Sequence, residues 1–504
     1  MSMDEPLPLP PALRLPARLV LWLLAGGVLA GWLTLVVLHV GDDYRVTHNS
    51  GVWLAVADGA RHGFLYPPIF DGEHYAGTRY MPLPILLNGV ATGLFADPLV
   101  GVKLLAAGLM AALLLIVIVV LRRSSCPWPL AIALAATIVA TDTGLQAGTS
   151  IGGDLLPAVL QTGALAFAVF ARNRRQLVMA GALAGLGLVS KLTGVWGGLA
   201  VITWLVMNRQ WRAVALFSMV SIGTASLVLG TVQLMSNGGL SEHLLAFSLA
   251  GVQGSGSLLR GPNQVLYNLL GHAWGTVVLF PIAALGVLLP GRARHISIFH
   301  IALAYALLLL IVIYADVGTG FNQLLDVVVL SALAVGNLAG RATASLNVPE
   351  APVLLLAAVV SVIWAAALDL VRTVGFDVRA AVAAASTGGP ATRAALAAAA
   401  LVKPGEQVLA EDPAIYVALR RQPVVMDPFM VMRLERVRPQ LVDPLIARIS
   451  DRRFDLVVLV VELDDRSLDF WWNDFHYGPR VAAALRNSYR ADGTLGRYFL
   501  YRPR

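Results

Sequence analysis

His39-Val40-Gly41-Asp42-Asp43-Tyr44-Arg45-Val46 closes an apolar run that begins at Ala17. That run exceeds the roughly 18 residues that mark a candidate membrane helix. No small-residue cleavage pattern ends it, so it reads as a retained span and not as a secretory signal. Asp42 and Asp43 thus stand where a helix leaves the bilayer, and they open a long polar and aromatic segment, residues 41–97. A carboxylate here can take a proton from an incoming hydroxyl or amine. It can also offer oxygen ligands to a divalent cation, or be solvated at a helix end.

The rest of the chain agrees with a membrane reading. It is 57% hydrophobic and 13% charged, with a mean hydropathy of +0.72, which excludes a soluble globular enzyme. A formal charge of +7 would suit nucleic acid, but the arginines fall mostly in short loops between apolar runs, where they set topology. A single cysteine, Cys126, excludes an internal disulfide and a cysteine-built metal site.

Eleven membrane helices are expected, near 17–40, 98–121, 127–141, 154–171, 176–190, 193–207, 213–234, 268–290, 297–314, 320–339 and 351–371. Arg14 and Arg18, Arg122 and Arg123, Arg172 to Arg175, Arg209 and Arg212, Arg292 and Arg294, and Arg341 lie on alternate sides, which the positive-inside rule makes cytoplasmic. The N-terminus is then inside and the tail outside. The mass is loaded on the outer face: loop 41–97, a third loop from Ser236 to about Tyr267, and the tail. Transporters commonly keep a mid-membrane site between repeats, and no repeat is visible. A transporter or lipid flippase is the rival reading, and a membrane scaffold with an outer binding domain the third.

Loop 41–97 holds two short helical pieces, Val52–His62 ending at Gly63 and Leu83–Phe95, that suit the membrane surface. Between them Asp71, Glu73 and His74 read as a charged turn or a ligand cluster. Arg45, Arg61 and Arg79 can face a phosphate. Lys191 lies between two apolar helices, as a cation for phosphate or a snorkelling lysine. Asp154 opens a helix, where the macrodipole favours it. Lys103 reads as a snorkelling anchor. The chain divides into a membrane domain (1–371), a juxtamembrane linker (372–404) and a small α/β domain (405–504), with strands at 407–410, 424–426, 454–461 and 498–501 and helices at 412–420 and 439–449.

This arrangement resembles the C-type (GT-C) membrane glycosyltransferases, the group that holds protein O-mannosyltransferases and the aminoarabinose transferase of lipid A. The carriers are the acidic pair after the first helix, Arg79-Tyr80-Met81-Pro82-Leu83-Pro84, Gly152-Gly153-Asp154, Ser190-Lys191-Leu192 and Gly320-Phe321-Asn322-Gln323. Met81 stands where the aminoarabinose type has a lysine. The resemblance implies a polytopic helical GT-C fold with an outer α/β domain. It also implies inverting transfer of a sugar from a polyprenyl-phosphate donor to a glycan, lipid or protein acceptor, while alanine and arginine richness fits a bacterial cytoplasmic membrane. Carried over by residue, the base is Asp42 or Asp43. Arg45, Arg79 and Lys191 would hold the donor phosphate, while Asp154, Tyr66, Tyr80 and Asn322 would line the substrate site. A divalent cation is compatible with this set, membrane lipids are partners, and nucleic acid is not.

Overall fold

The computed structural model describes residues 11–248, 260–288, 296–315, 319–344, 351–386 and 393–504. Arg292 and Arg294, and part of the third loop, lie outside these. The membrane part comprises α1 (Pro11–His39), α2 (His48–Arg61), α3 (Pro82–Thr92), α4 (Pro98–Arg123), α5 (Trp128–Ala140), α6 (Asp142–Thr149), α7 (Leu155–Val169), α8 (Arg174–Ser190), α9 (Trp196–Met207), α10 (Trp211–Met235), a short α11 (Gly239–His243), α12 (Arg260–His272), α13 (Trp274–Leu288), α14 (Ile298–Ile313), α15 (Leu325–Ala344) and α16 (Ala351–Ser386).

Each of the eleven expected helices is helical, but they do not all have the length of a span. Among the described residues five (α1, α4, α10, α15 and α16) are long and apolar enough to cross a membrane, and two bent pairs raise the number to seven at most. The pairs are α5 with α6, bent by 79°, and α12 with α13, bent by 115°. The second corrects the single helix expected at 268–290. The protein is an integral membrane protein. Apolar side chains of α1 and α10, such as Leu23, Leu33, Ile222 and Leu227, stay exposed as lipid-facing residues would.

The shorter helices are shielded by their neighbours. α5 and α15 form the centre, where Leu130, Ala131, Leu134, Val329, Leu330 and Leu333 are fully buried. Small residues let backbones approach closely there: a Cβ on Gly340 would lie 1.9 Å from the Ser124 carbonyl. Non-helical backbone at membrane depth is tolerated when protein surrounds it, so α7 can begin, and α8 can end, at polar junctions, Asp154 and Lys191.

In the first loop, Thr47 and Ser50 form a capping box that starts α2. Gly63, at φ +91°, follows its end. Pro82 stands at the first position of α3, where a missing N–H costs nothing. α2, expected to lie along the membrane surface, is covered by protein. Ser50 to Ala57 are buried without a break, because α2 packs between α3 and the C-terminal domain.

The C-terminal domain begins with α17 (Ala394–Ala400) and holds a four-stranded sheet of order β1-β2-β4-β3, from β1 (Val408–Ala410), β2 (Leu456–Leu459), β3 (Tyr489–Leu495) and β4 (Tyr498–Pro503). β1 and β2 are parallel and the other pairs antiparallel. Its other helices are α18 (Ala414–Leu419), α19 (Pro428–Val437), α20 (Asp443–Ser450), α21 (Asp469–Asp474) and α22 (Pro479–Ser488). Residues 424–426, expected as a strand of this sheet, instead clasp the first loop: Tyr75 N donates to Val424 O (2.8 Å) and Met426 N to Tyr75 O (2.8 Å). The aromatic run at 471–477 serves packing, with Trp472 and Tyr477 fully buried.

Gly51 sets how closely the two domains meet. A Cβ there would fall 1.9 Å from Asp412 Oδ1, and Asp412 is fully buried. Gly51→Ala is therefore expected to loosen the C-terminal domain, seen as faster proteolysis at the 393–404 junction, whereas Gly31→Ala, with open space around it, leaves the digestion rate unchanged.

Candidate active site

The polar groups of the membrane domain collect at one end of the bundle, and most sit where a helix is interrupted. α1 ends at His39, whose Nδ1 meets Asp42 Oδ2 at 2.7 Å, and Tyr44 N donates to Asp42 Oδ1 at 2.8 Å. Lys103 Nζ donates to the carbonyls of His39, Asp42 and Tyr44 at 2.7, 2.8 and 3.2 Å. Its side chain is 2% exposed, so it closes the exit of α1 and does not snorkel.

Asp43 points the other way. Its Oδ2 accepts from Ala394 N at 2.7 Å, at the start of α17. Burial raises its carboxyl above the ordinary value of 3.8, against the pull of Arg497 and the Ala394 N–H, with Asp412 adding to the rise. Asp412 accepts from Arg497 Nη2 and Tyr498 Oη, both at 2.7 Å, and Arg497 also donates to the Val46 carbonyl. The pair therefore splits: Asp42 is tied into the α1 exit, and Asp43 faces the join with the C-terminal domain.

Arg45 occupies a left-handed turn at φ 56°. Its side chain, 2% exposed, bridges Asp142 and Asp377, the latter at 3.0 Å. Asp142 opens α6 directly after the 79° bend, and His272 Nδ1, at the 115° bend, donates to its Oδ2 at 2.6 Å. The His272 ring stacks on Phe321 at 3.8 Å. The next two residues continue the network: Asn322 Nδ2 donates to Asp154 Oδ2, and Lys191 Nζ donates to Asp154 Oδ1 at 2.6 Å and to Gln323 Oε1. Asp154, Lys191 and Asn322, singled out separately in the sequence, thus meet in one cluster with Gln323.

The other first-loop residues lie between this cluster and the C-terminal domain. Tyr80 stacks on Trp53 at 3.9 Å. Its hydroxyl pKa is raised by burial first and then by Asp427, with Arg79 opposing and Asp154 adding. Arg79 stands over the Phe429 ring at 4.5 Å. Tyr66 is buried, and its hydroxyl donates to Tyr80 O at 2.7 Å. Asp71 accepts from Glu73 N and His74 N at 2.9 and 2.8 Å, a capped turn. Among the described residues no group of three or more His, Cys, Asp or Glu side chains converges as a metal site.

A cleft of about 160 Å³ opens beside Asp142, lined also by Gly271, His272, Asp369, Arg372 and Arg379. Asp369 Oδ1 accepts from Gly275 N at 2.9 Å, and its buried Oδ2 has no hydrogen-bond partner among the described residues. Arg372 lies over the Trp274 ring at 5.2 Å. Among the described residues neither Arg372 nor Arg379 forms a salt bridge, although the Arg372 charge acts on Asp369. Sequence reasoning missed Asp142, His272 and these two arginines. His272 was hidden inside an expected continuous helix, and the arginines sit on the stretch of about four turns by which α16 outruns its expected end.

No protein-family model matches the chain, and no curated protein matches it in sequence. The fold is of the GT-C type of membrane enzyme. A crystal structure of ArnT from Cupriavidus metallidurans bound to undecaprenyl phosphate is similar with a TM-score of 0.61, over 95% of this chain and 97% of that one, at 14% identity. A crystal structure of the Archaeoglobus fulgidus oligosaccharyltransferase, in complex with Zn and sulfate, has a TM-score of 0.51 over 96% of this chain and 72% of that one, also at 14% identity. At such identity the likeness is one of fold. It bears out the expected class, a polytopic helical GT-C protein with a small C-terminal α/β domain.

Proposed function

We propose that the protein is an inverting glycosyltransferase that moves a sugar from a polyprenyl-phosphate donor to an acceptor at the outer face of a bacterial membrane. The observation that carries this reading is the cationic cleft. Two arginines that form no salt bridge among the described residues line it beside a carboxylate network, in a fold that a structure bound to undecaprenyl phosphate shares. The arginines in the alternate loops support the orientation.

In this reading the lipid tail lies among the helices. Arg372 and Arg379 take the phosphate, a role for which Arg45 is already engaged by Asp142 and Asp377. Lys191, held by Asp154 and Gln323, and Arg79 add positive charge around the sugar. Asp43 removes the acceptor hydroxyl proton. The acceptor oxygen then bonds to the anomeric carbon as the bond from that carbon to the phosphate oxygen breaks, and the phosphate leaves with the electron pair. Neutralising that leaving charge and orienting the partners supply the rate. Among the described residues the carboxylates do not converge as a metal site, and no step is assigned to a divalent cation.

Binding of undecaprenyl phosphate to the purified protein tests the donor seat. Charge-assisted hydrogen bonds contribute about 1.5–3 kcal/mol, so Arg372→Ala and Arg379→Ala are each expected to weaken binding roughly tenfold or more. Equal affinity in wild type and both variants would refute the assignment.

A further inference from the structure

A second basic cleft lies at the other end of the bundle. α7 runs away from Asp154 and α8 returns to Lys191, so the 170–173 turn is at the end opposite the first loop. α9 also runs to that end, and α10 starts from it. Between these turns is a cleft of about 600 Å³ lined by Arg172, Arg174 and Arg212, with Asn173, Trp204 and Leu216. We propose that it binds the head group of an anionic phospholipid, a ligand distinct from the substrates of the transfer site.

Topology alone does not explain where these arginines sit. Arg174 opens α8, and Arg212 is in the first turn of α10; neither first turn holds an acidic residue. A helix N-terminus carries partial positive charge, so these cations are placed against the local field. Arg122 and Arg123, which the same positive-inside rule covers, occupy the last turn of α4, where the field favours them. The chain has no Asp or Glu between Asp154 and Glu242, and no ion pair reaches Arg172, Arg174 or Arg212 among the described residues. Two helix N-termini and three arginine side chains facing one space make an anion site. An anion seated there would relieve both sets of repulsions at once.

The apolar side of the cleft selects the source of the anion. Leu216 and the ring of Trp204 form a wall beside the arginines, and tryptophan at such a position suits the headgroup layer of a bilayer. Basic pockets between membrane helices recognise phosphate-bearing lipid head groups in this way. A free inorganic anion would make no use of the wall, whereas a phospholipid fills both halves.

Thermal unfolding of the purified protein in phosphatidylcholine micelles, with and without added cardiolipin, tests this. Cardiolipin is expected to raise the wild-type midpoint by a few degrees, as a ligand of the folded state does. The same lipid is expected to leave Arg172→Gln/Arg174→Gln/Arg212→Gln unmoved, with both proteins melting alike in phosphatidylcholine alone. Sodium pyrophosphate should give no rise. An equal cardiolipin shift in wild type and triple variant, no shift in wild type, or a pyrophosphate shift as large as the lipid's would each overturn the proposal. Should the triple variant not fold, native mass spectrometry of Arg212→Gln is expected to retain about tenfold less cardiolipin than wild type, and equal retention would overturn it. Donor binding and sugar transfer are read separately, so this site and the transfer site can fail independently.

Discussion

Asp43→Asn is expected to cut sugar transfer by about 10²–10⁴-fold, the usual contribution of a positioned general base, while donor binding stays intact. Asparagine keeps the shape of the side chain and can still accept from Ala394 N, so the docking of α17 survives. Asp42→Asn has a different signature. It disturbs the His39 and Tyr44 contacts at the α1 exit, so its loss falls on stability more than on turnover.

The pH dependence follows from the direction of the Asp43 shift. Burial holds its carboxyl above 3.8, so the folded state favours the protonated form. Its contribution to stability is present below 3.8 and declines as pH rises through the folded value. Transfer runs in the opposite sense, because the base must be ionised. The rate should rise with pH along a limb centred above 3.8, and that limb should be missing from the residual rate of Asp43→Asn. A limb unchanged in the variant would remove Asp43 from the role.

The second large effect belongs to Arg45, as a structural keystone. Arg45→Ala strands Asp142, 7% exposed, with His272 as its remaining side-chain partner among the described residues, and deprives Asp377 of its 3.0 Å contact. Breaking a buried ion pair from one side costs about 3–5 kcal/mol, because a charge stays behind uncompensated. A clear fall in the unfolding midpoint in detergent is expected. Arg45→Lys recovers only part of it, since one ammonium cannot span two carboxylates as a guanidinium fork does. A midpoint equal to wild type would show that water reaches Asp142 freely.

Much of this was legible in the residues. The apolar runs placed eleven helices, and the acidic pair, Asp154, Lys191 and Asn322 were visible as polar groups at span ends. Their meeting in one cluster needed the fold, because residues 154, 191 and 322 approach only through the return of α8 and the start of α15. Helix breaks were the main blind spot. Ala273 interrupts nothing in the hydropathy pattern, yet the chain turns by 115° there and sets His272 at the corner. Polar edge strand β3 (Tyr-Arg-Ala-Asp-Gly-Thr-Leu) lacked apolar alternation and went unread; it pairs with β4 through a slip at Ala491 and Gly493. Lys103 looked like an interface anchor because its three carbonyl partners come from the backbone at the end of another helix, and a side-chain pattern cannot show them.

The central claim is sugar transfer from a polyprenyl phosphate. The most direct test gives the purified protein a panel of labelled polyprenyl-phosphate sugars together with membrane, glycan and protein acceptor fractions, and resolves the anomeric configuration of the product. The account predicts transfer from at least one donor with inversion at the anomeric carbon, lost in Asp43→Asn. Transfer with retention, or transfer at an equal rate in wild type and Asp43→Asn, would contradict it.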